Sequence, residues 1–104
     1  MVGLGTDSEV SVSRPDLLAE ARAARSLAGA TADALIELCT LGGARALGLS
    51  SETGSLRTGK WGDCVVIRVE KAAEKSSPAE LVLASSPADV LLTCLGGRDV
   101  YRTL

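Results

Sequence analysis

The chain has 104 residues, a net charge of −2 and an apolar fraction of 46%. That length fits one ordinary domain. Trp61 and Tyr101 are the only aromatic residues, and aromatic side chains supply much of the area buried in cores, so we expect a thin core. The weak negative charge argues against a nucleic-acid partner, because such binding needs clustered Lys and Arg.

Hydropathy and cysteine content bound the location. No apolar run approaches the roughly 20 residues of a membrane span, and the first residues lack the basic and apolar regions of a secretory signal. We therefore expect no membrane partner and a cytoplasmic location. Cys39, Cys64 and Cys94 are odd in number and widely spaced. We interpret them as small buried hydrophobic residues rather than a disulfide or a zinc site.

The first predicted elements are a short strand over residues 1–7 and a helix. The Gly3-x-Gly5 motif in the strand lacks the third glycine of a nucleotide-binding turn, so we do not expect it to bind a nucleotide. The helix should begin at Ser13-Arg14-Pro15-Asp16, which offers a hydroxyl cap, a proline in the first turn and an acid. Gly29 should end it. The residues on its apolar stripe are Leu17, Ala21, Ala24 and Ala28, with Leu18 and Leu27 beside them.

A second helix should begin at Thr31, whose hydroxyl suits a helix cap. The pair Gly42-Gly43 predicts a break or a very close helix contact, followed by a short helix over residues 44–47. Gly48 should close that helix with a positive φ. Arg45 could be read as an anion ligand, but nothing near it in the sequence completes an anion pocket, and we interpret it as solvated or structural.

The second half of the chain is predicted to be mainly extended structure with one helix. Gly54 and Gly59 are predicted to punctuate a hairpin. The β-branched run over residues 65–67 predicts a strand covered on both faces, continuing to residue 69. A short helix is predicted over residues 78–84. The last predicted element is a hairpin, with a strand over residues 90–95, a turn at Gly96-Gly97 and a strand over residues 98–102.

The central block of the chain resembles a known family. The residues that carry the resemblance are Ala44-Arg-Ala-Leu-Gly-Leu49, Gly54-Ser-Leu56, Gly59-Lys60, Asp63-x-Val-Val-Ile67 and the closing Gly96-Gly-Arg-x-Val-Tyr101. They are similar to the C-terminal block of metal-dependent amidohydrolases, which include deaminases and chlorohydrolases on a (β/α)8 barrel with a β-sandwich. The resemblance implies an α+β fold. Residues 1–49 would be the last strand and helices of the barrel, and residues 50–104 would be C-terminal hairpins of the composite β-sandwich.

Asp7 is the candidate site residue. In isolation it would be an ordinary turn or helix cap. The run Gly5-Thr-Asp-Ser8, however, resembles the end of the eighth barrel strand in these enzymes, and catalytic groups cluster at the C-terminal ends of barrel strands. The resemblance implies that Asp7 is both catalytic and a metal ligand. Its carboxylate would take a proton from the metal-activated water and deliver it to the leaving group.

The chain contains no histidine, whereas the family it resembles holds its divalent metal, zinc or iron, with several. A catalytic metal needs roughly three protein ligands, and Asp7 is at most one. We therefore expect this chain alone to be inactive and to bind no metal tightly. The resemblance implies that the complete enzyme deaminates or dechlorinates a small heterocyclic substrate. The expected partners of this chain are the remainder of the barrel or a second copy of itself, because strand edges lacking neighbours invite association.

A different interpretation stays open at this point. The chain could be a free-standing α+β module with a structural or interaction role, in which Asp7 only caps a turn. A His-x-His segment encoded in frame upstream of Met1 would favour the enzyme, and a compact monomer with its own start site would favour the module.

Overall fold

The computed structural model describes residues 2–6, 15–69 and 76–103. Within them, helices pack beside an antiparallel sheet of strand order β1-β2-β3. The elements, in chain order, are α1 (Leu17–Ala28), α2 (Ala32–Cys39), α3 (Leu41–Ala46), β1 (Cys64–Ile67), α4 (Pro78–Leu83), a 3-10 turn (Pro87–Asp89), β2 (Val90–Leu95) and β3 (Arg98–Arg102).

Helix α1 begins later than predicted. The Asp16 carboxylate accepts the Ala19 amide at 3.2 Å and so occupies the cap position, which the sequence had assigned to Ser13, a residue outside the described part. Pro15 therefore precedes the helix instead of lying in its first turn. The predicted end is confirmed, because Gly29 has φ 64° and its amide donates to the Arg25 carbonyl.

The break between α2 and α3 is made by Thr40 and not by the glycine pair. Thr31 caps α2 as predicted, its hydroxyl oxygen accepting the Ala34 amide at 3.2 Å. The helix stops at Thr40, whose backbone turns to φ −123° and ψ −96° while its hydroxyl donates to the Ile36 carbonyl at 2.8 Å. The predicted short helix is present but its predicted start at residue 44 was wrong for this reason: α3 starts immediately after Thr40 and contains both glycines.

The core between the helices is small. Ala21, Ala32, Leu35 and Leu83 are buried and pack together. Two of the four are alanines, so α1 and α2 approach closely, and α4 contributes Leu83 from far along the sequence. Leu27, expected beside the apolar stripe of α1, is 91% exposed. The thin core predicted from the composition is confirmed within the described residues.

Two arginines of α1 fix α4. The Arg22 guanidinium donates to the carbonyls of Leu83 at 2.8 Å and Ser85 at 3.0 Å, at the end of α4 where helix carbonyls lack intrahelical partners. Arg25 forms a two-point pair with the Glu80 carboxylate. The hydrogen bond with Arg25 lowers the pKa of Glu80, and the same bond raises that of Arg25.

Residues 49–63 form successive turns in place of the predicted hairpin. Gly54 and Gly59 do adopt positive φ, 97° and 91°, but no strand lies between them. The backbone amides find partners within the segment instead: Thr53 donates to Leu49 at 3.0 Å and Trp61 donates to Glu52 at 2.7 Å. These amides are satisfied by carbonyls of the same segment, so they do not pair with a neighbouring strand.

The sheet is less covered than the sequence suggested. β1 lies at its edge and pairs only with β2 among the described strands. Val65 is 52% exposed and Val66 41% exposed, so the prediction of a strand buried on both faces was wrong for this chain. The strand also ends at Ile67, after a register shift, and does not reach Val69. The closing hairpin of β2 and β3 is confirmed.

Asp63 ties the turn segment to the closing hairpin. Its carboxylate accepts the Gly96 amide at 2.7 Å and the Thr53 hydroxyl at 2.8 Å. Both hydrogen bonds lower the pKa of Asp63, and the bond from the Gly96 amide has the larger effect. The sequence reading gave this aspartate no separate role, because its partners lie 10 and 33 residues away.

We predict that Asp63→Asn lowers the melting temperature of the full chain at neutral pH. Because the folded-state pKa of Asp63 is depressed, its contribution is present above the unfolded value, about 3.9, and is lost as pH falls through the lower folded value. The difference between wild type and variant should therefore shrink below about pH 4. Thermal unfolding by circular dichroism across pH checks this, with the exposed Asp33→Asn as control. A difference independent of pH would contradict it.

We also predict that Arg22→Met destabilises the chain by about 1–3 kcal/mol, because two part-buried carbonyls lose a charged donor. The matched control is Arg45→Met. Arg45 is half-exposed and pairs with Glu37 only at 3.4 Å, so its loss should cost no more than about 0.5 kcal/mol. Urea denaturation measures both. Equal effects of the two substitutions would show that Arg22 does not hold α4 in place.

Candidate active-site segment

Residues 2–6 lead to the predicted site and lie against the break between α2 and α3. The Leu4 amide donates to the Leu38 carbonyl at 3.2 Å. That carbonyl is in the last turn of α2, where helix carbonyls are free to accept other donors. The Leu4 side chain packs against the helical core. The segment is thus attached to the helices by both its backbone and its side chain.

Glycines make this attachment possible. A Cβ atom on Gly3 would lie 2.6 Å from the Gly43 Cα, and one on Gly42 would lie 2.8 Å from the Val2 carbonyl oxygen. Real Cβ atoms do not approach other atoms so closely, so the two backbones meet at positions that only glycine can occupy. The close contact predicted at Gly42-Gly43 is therefore present, although its partner is the first segment and not another helix.

The predicted strand over residues 1–7 is not formed in the described part, residues 2–6. Strand pairing requires a neighbouring strand, and the Leu4 amide donates instead to the Leu38 carbonyl of a helix. Asp7, the predicted catalytic and metal-binding residue, lies outside the described residues. Its role remains a prediction, and the described residues that immediately precede it are 2–6.

The acidic and sulfur side chains that are described do not form a second candidate centre. Residues 2–6, 15–69 and 76–103 contain no group of three or more His, Cys, Asp or Glu side chains able to hold a metal. Asp63 and Glu80 are engaged in structural bonds. Burial raises the pKa of the Cys39 thiol, which makes it a poor nucleophile. Arg45 pairs with Glu37, in line with the structural interpretation of this arginine.

Comparison with known proteins identifies the family. Residues 1–100 match the Amidohydrolase family. The chain belongs to this family. The match begins at the segment just described and continues through the closing hairpin, so it includes position 7.

Named relatives of this amidohydrolase chain are deaminases. The 5-methylthioadenosine/S-adenosylhomocysteine deaminase of Moorella thermoacetica is 34% identical over 108 residues, which cover 93% of this chain and 25% of that protein. The 5'-deoxyadenosine deaminase of Methanosarcina acetivorans is 33% identical, covering 99% of this chain and 27% of that protein. The chain thus spans about a quarter of the length of these relatives.

Solved structures share the fold. An adenosine deaminase from Xanthomonas campestris with bound zinc matches 96% of this chain at a TM-score of 0.83 and 26% identity, using 25% of its own chain. The guanine deaminase of E. coli matches 86% at a TM-score of 0.70 and 26% identity, also using 25% of its chain. The small α+β fold is therefore like one part of amidohydrolase deaminases. None of the helices in the described residues is long and apolar enough to cross a membrane.

We predict that Gly3→Ala destabilises the chain by about 1–3 kcal/mol, the usual range for forcing extra atoms into a packed contact. The matched control is Gly5→Ala, since a Cβ at Gly5 would meet nothing within 4 Å. Urea denaturation of the two variants distinguishes a steric effect from a general effect of glycine replacement. Equal stability of both variants would mean that the segment does not lie on α3 as described.

Proposed function

We propose that this chain is the C-terminal part of a metal-dependent amidohydrolase that hydrolyses a carbon–nitrogen bond and deaminates an amino-substituted heterocycle. The observation that carries the proposal is the family match over residues 1–100. Its relatives support the substrate class, because they are named for deaminating adenosine derivatives. A nucleoside with an amino-substituted purine is the substrate these names favour over a chlorinated ring.

Asp7 is proposed to move the proton in this reaction. Water adds to the ring carbon that bears the amino group, and the carboxylate accepts a proton from that water. The carboxylate then delivers the proton to the amino nitrogen, the carbon–nitrogen bond breaks and ammonia leaves. The second proton of the water moves from the new hydroxyl to the adjacent ring nitrogen, which gives a ring carbonyl. A positioned carboxylate suits both steps. Residues 2–6, which precede position 7, are attached to α2 and α3 by the Leu4 backbone bond and by the glycine contacts.

The divalent metal proposed for the complete enzyme, zinc or iron, does not fit the residues described here. They offer no cluster of three ligands, the chain has no histidine, and a catalytic metal needs roughly three protein ligands. Ligands beyond Asp7 would have to come from polypeptide outside this chain. The zinc in the structure of the Xanthomonas campestris relative supports a metal in the complete protein.

The proposed division of the chain is a barrel end over residues 1–49 and a β-sandwich segment over residues 50–104. The helices α1 to α3 precede the boundary and all three described strands follow it. Helix α4 is the exception in space, because Leu83 packs in the core with residues of α1 and α2. It would link the two parts, with the remaining barrel or a second copy covering the exposed strand faces. A cytoplasmic location completes the proposal.

A reading of the DNA upstream of Met1 tests the proposal at the level of the gene. An in-frame or neighbouring coding segment with a His-x-His pair is expected, since the metal ligands must come from outside this chain. The 104-residue chain by itself should release no ammonia from adenosine when supplied with zinc or iron. Turnover by the isolated chain, or an upstream region without such a segment, would contradict the proposal.

We predict that Asp7→Asn in the complete enzyme lowers kcat for deamination by about 10²–10⁴, the usual contribution of one proton-transferring group. Ammonia release from adenosine and 5'-methylthioadenosine provides the measurement. Asp16→Asn is the control, because Asp16 caps α1 and its change should affect stability more than kcat. An Asp7→Asn enzyme with the kcat of wild type would exclude the proposed role.

A further inference from the structure

Two of the three cysteines face each other across the sheet. Cys64 on β1 is the register partner of Cys94 on β2, and all three thiols of the chain are free. Residues directly opposite in an antiparallel pair have Cβ atoms about 4.5–5.5 Å apart. A disulfide joins Cβ atoms about 3.5–4.5 Å apart, so a small adjustment of the edge strand suffices to bring the two sulfurs together.

A carboxylate on the third strand lies in line with the two cysteines, so that three side chains form a row across the strands. Asp99 on β3 is the register partner of Cys94, and the Cys94 thiol donates a hydrogen bond to its carboxylate at 3.3 Å. Arg102 in turn donates to the same carboxylate at 2.8 Å. The row therefore runs Cys64, Cys94, Asp99 across the three described strands, and both cysteines are half-buried and not fully enclosed.

The carboxylate keeps the Cys94 thiol protonated. The pKa of Cys94 rises to about 11, first through the bond to Asp99, then through burial and contact with Cys64. A thiol with such a pKa is a weak nucleophile at neutral pH, since the thiolate is the reactive form. Because Cys94 is held in this unreactive form, the first attack on a small disulfide is assigned to Cys64.

We propose that Cys64 and Cys94 form a reactive dithiol site that small-molecule disulfides convert into a cross-strand disulfide. The inference does not depend on the proposed deaminase activity. It rests on the register of β1 and β2 and on the row that the two cysteines form with Asp99. It also revises the interpretation of these cysteines as simple buried hydrophobic residues.

The reaction proceeds by two exchanges. The Cys64 thiolate attacks one sulfur of the small disulfide, whose sulfur–sulfur bond breaks and releases one thiolate, leaving a mixed disulfide on Cys64. Cys94 then loses its proton and attacks the Cys64 sulfur, which expels the second thiolate. The two protons of the cysteines end on the two released thiols. The protein loses two electrons and two hydrogens, and the small disulfide gains them.

The new bond would join the edge strand to the central strand. It closes a loop over residues 64–94 that includes α4, and cross-linking a long loop restricts the unfolded chain. Oxidation should therefore raise the melting temperature. Cys39 lies on α2, outside the sheet, and serves as an internal comparison.

The test treats the reduced full chain with glutathione disulfide, then alkylates the remaining thiols and maps the peptides by mass spectrometry. Free thiols should fall from three to one, with a mass loss of two hydrogens and a peptide linking Cys64 to Cys94. Cys39→Ser should leave this link intact, and Cys64→Ser should abolish it. In urea the preference for the 64–94 link should disappear, because the register no longer brings the pair together.

Asp99→Asn examines the part played by the carboxylate. Without the negative charge the Cys94 thiol should ionise more readily, and ring closure from the mixed disulfide should be several-fold faster. Mixed disulfides that never close, preferential modification of Cys39, or three unreacted thiols would each overturn the proposal. A rate of closure unchanged by Asp99→Asn, with the link still formed, would overturn the role given to Asp99.

Discussion

The contact on which the arrangement of this chain depends is the meeting of two backbones at glycine. Gly3 lies on Gly43, and Gly42 lies on the Val2 carbonyl, at distances that leave no room for a Cβ atom. Beside this contact the Leu4 amide donates to the Leu38 carbonyl. The position of this first segment on the helices thus depends on the absence of Cβ atoms at Gly3 and Gly42.

Small residues also determine how the helices of the core pack together. Alanines at positions 21 and 32 bring α1 and α2 close together, but they bury little apolar area, and burial stabilises in proportion to area. The helices therefore rely on directional polar bonds to a greater degree than a Leu-rich core would. Arg22 shows this most clearly, because one guanidinium holds two carbonyls at the end of α4.

The sequence predicted the features of the fold that depend on neighbouring residues. The caps at Thr31 and Gly29, the positive φ of Gly48 and the closing hairpin follow from local chemistry, and the structure has them. The break at Thr40 was missed because a threonine that ends a helix through its hydroxyl looks like any other threonine. The glycine pair beside it was predicted to make a break or a very close helix contact, and it makes a close contact with residues some 40 positions earlier in the chain.

The candidate site was less accessible to sequence reasoning than the fold. Asp7 came only from a family resemblance, that of four residues at the expected distance before the block over residues 42–67. Local chemistry alone does not distinguish it from a turn-capping aspartate. Asp63 shows the opposite case. Its two bonds are plain in the structure, yet their partners are too distant along the chain for a motif to indicate them.

The exposed strand β1 connects the fold to the proposed function. A run of three β-branched residues is typical of a strand with both faces covered, yet Val65 and Val66 are about half-exposed here. The described helices pack together through their own core and do not cover these side chains. In the complete enzyme that we propose, additional polypeptide would cover them. The composition of β1 thus suits a larger protein, as does the observation that this chain spans about a quarter of its relatives.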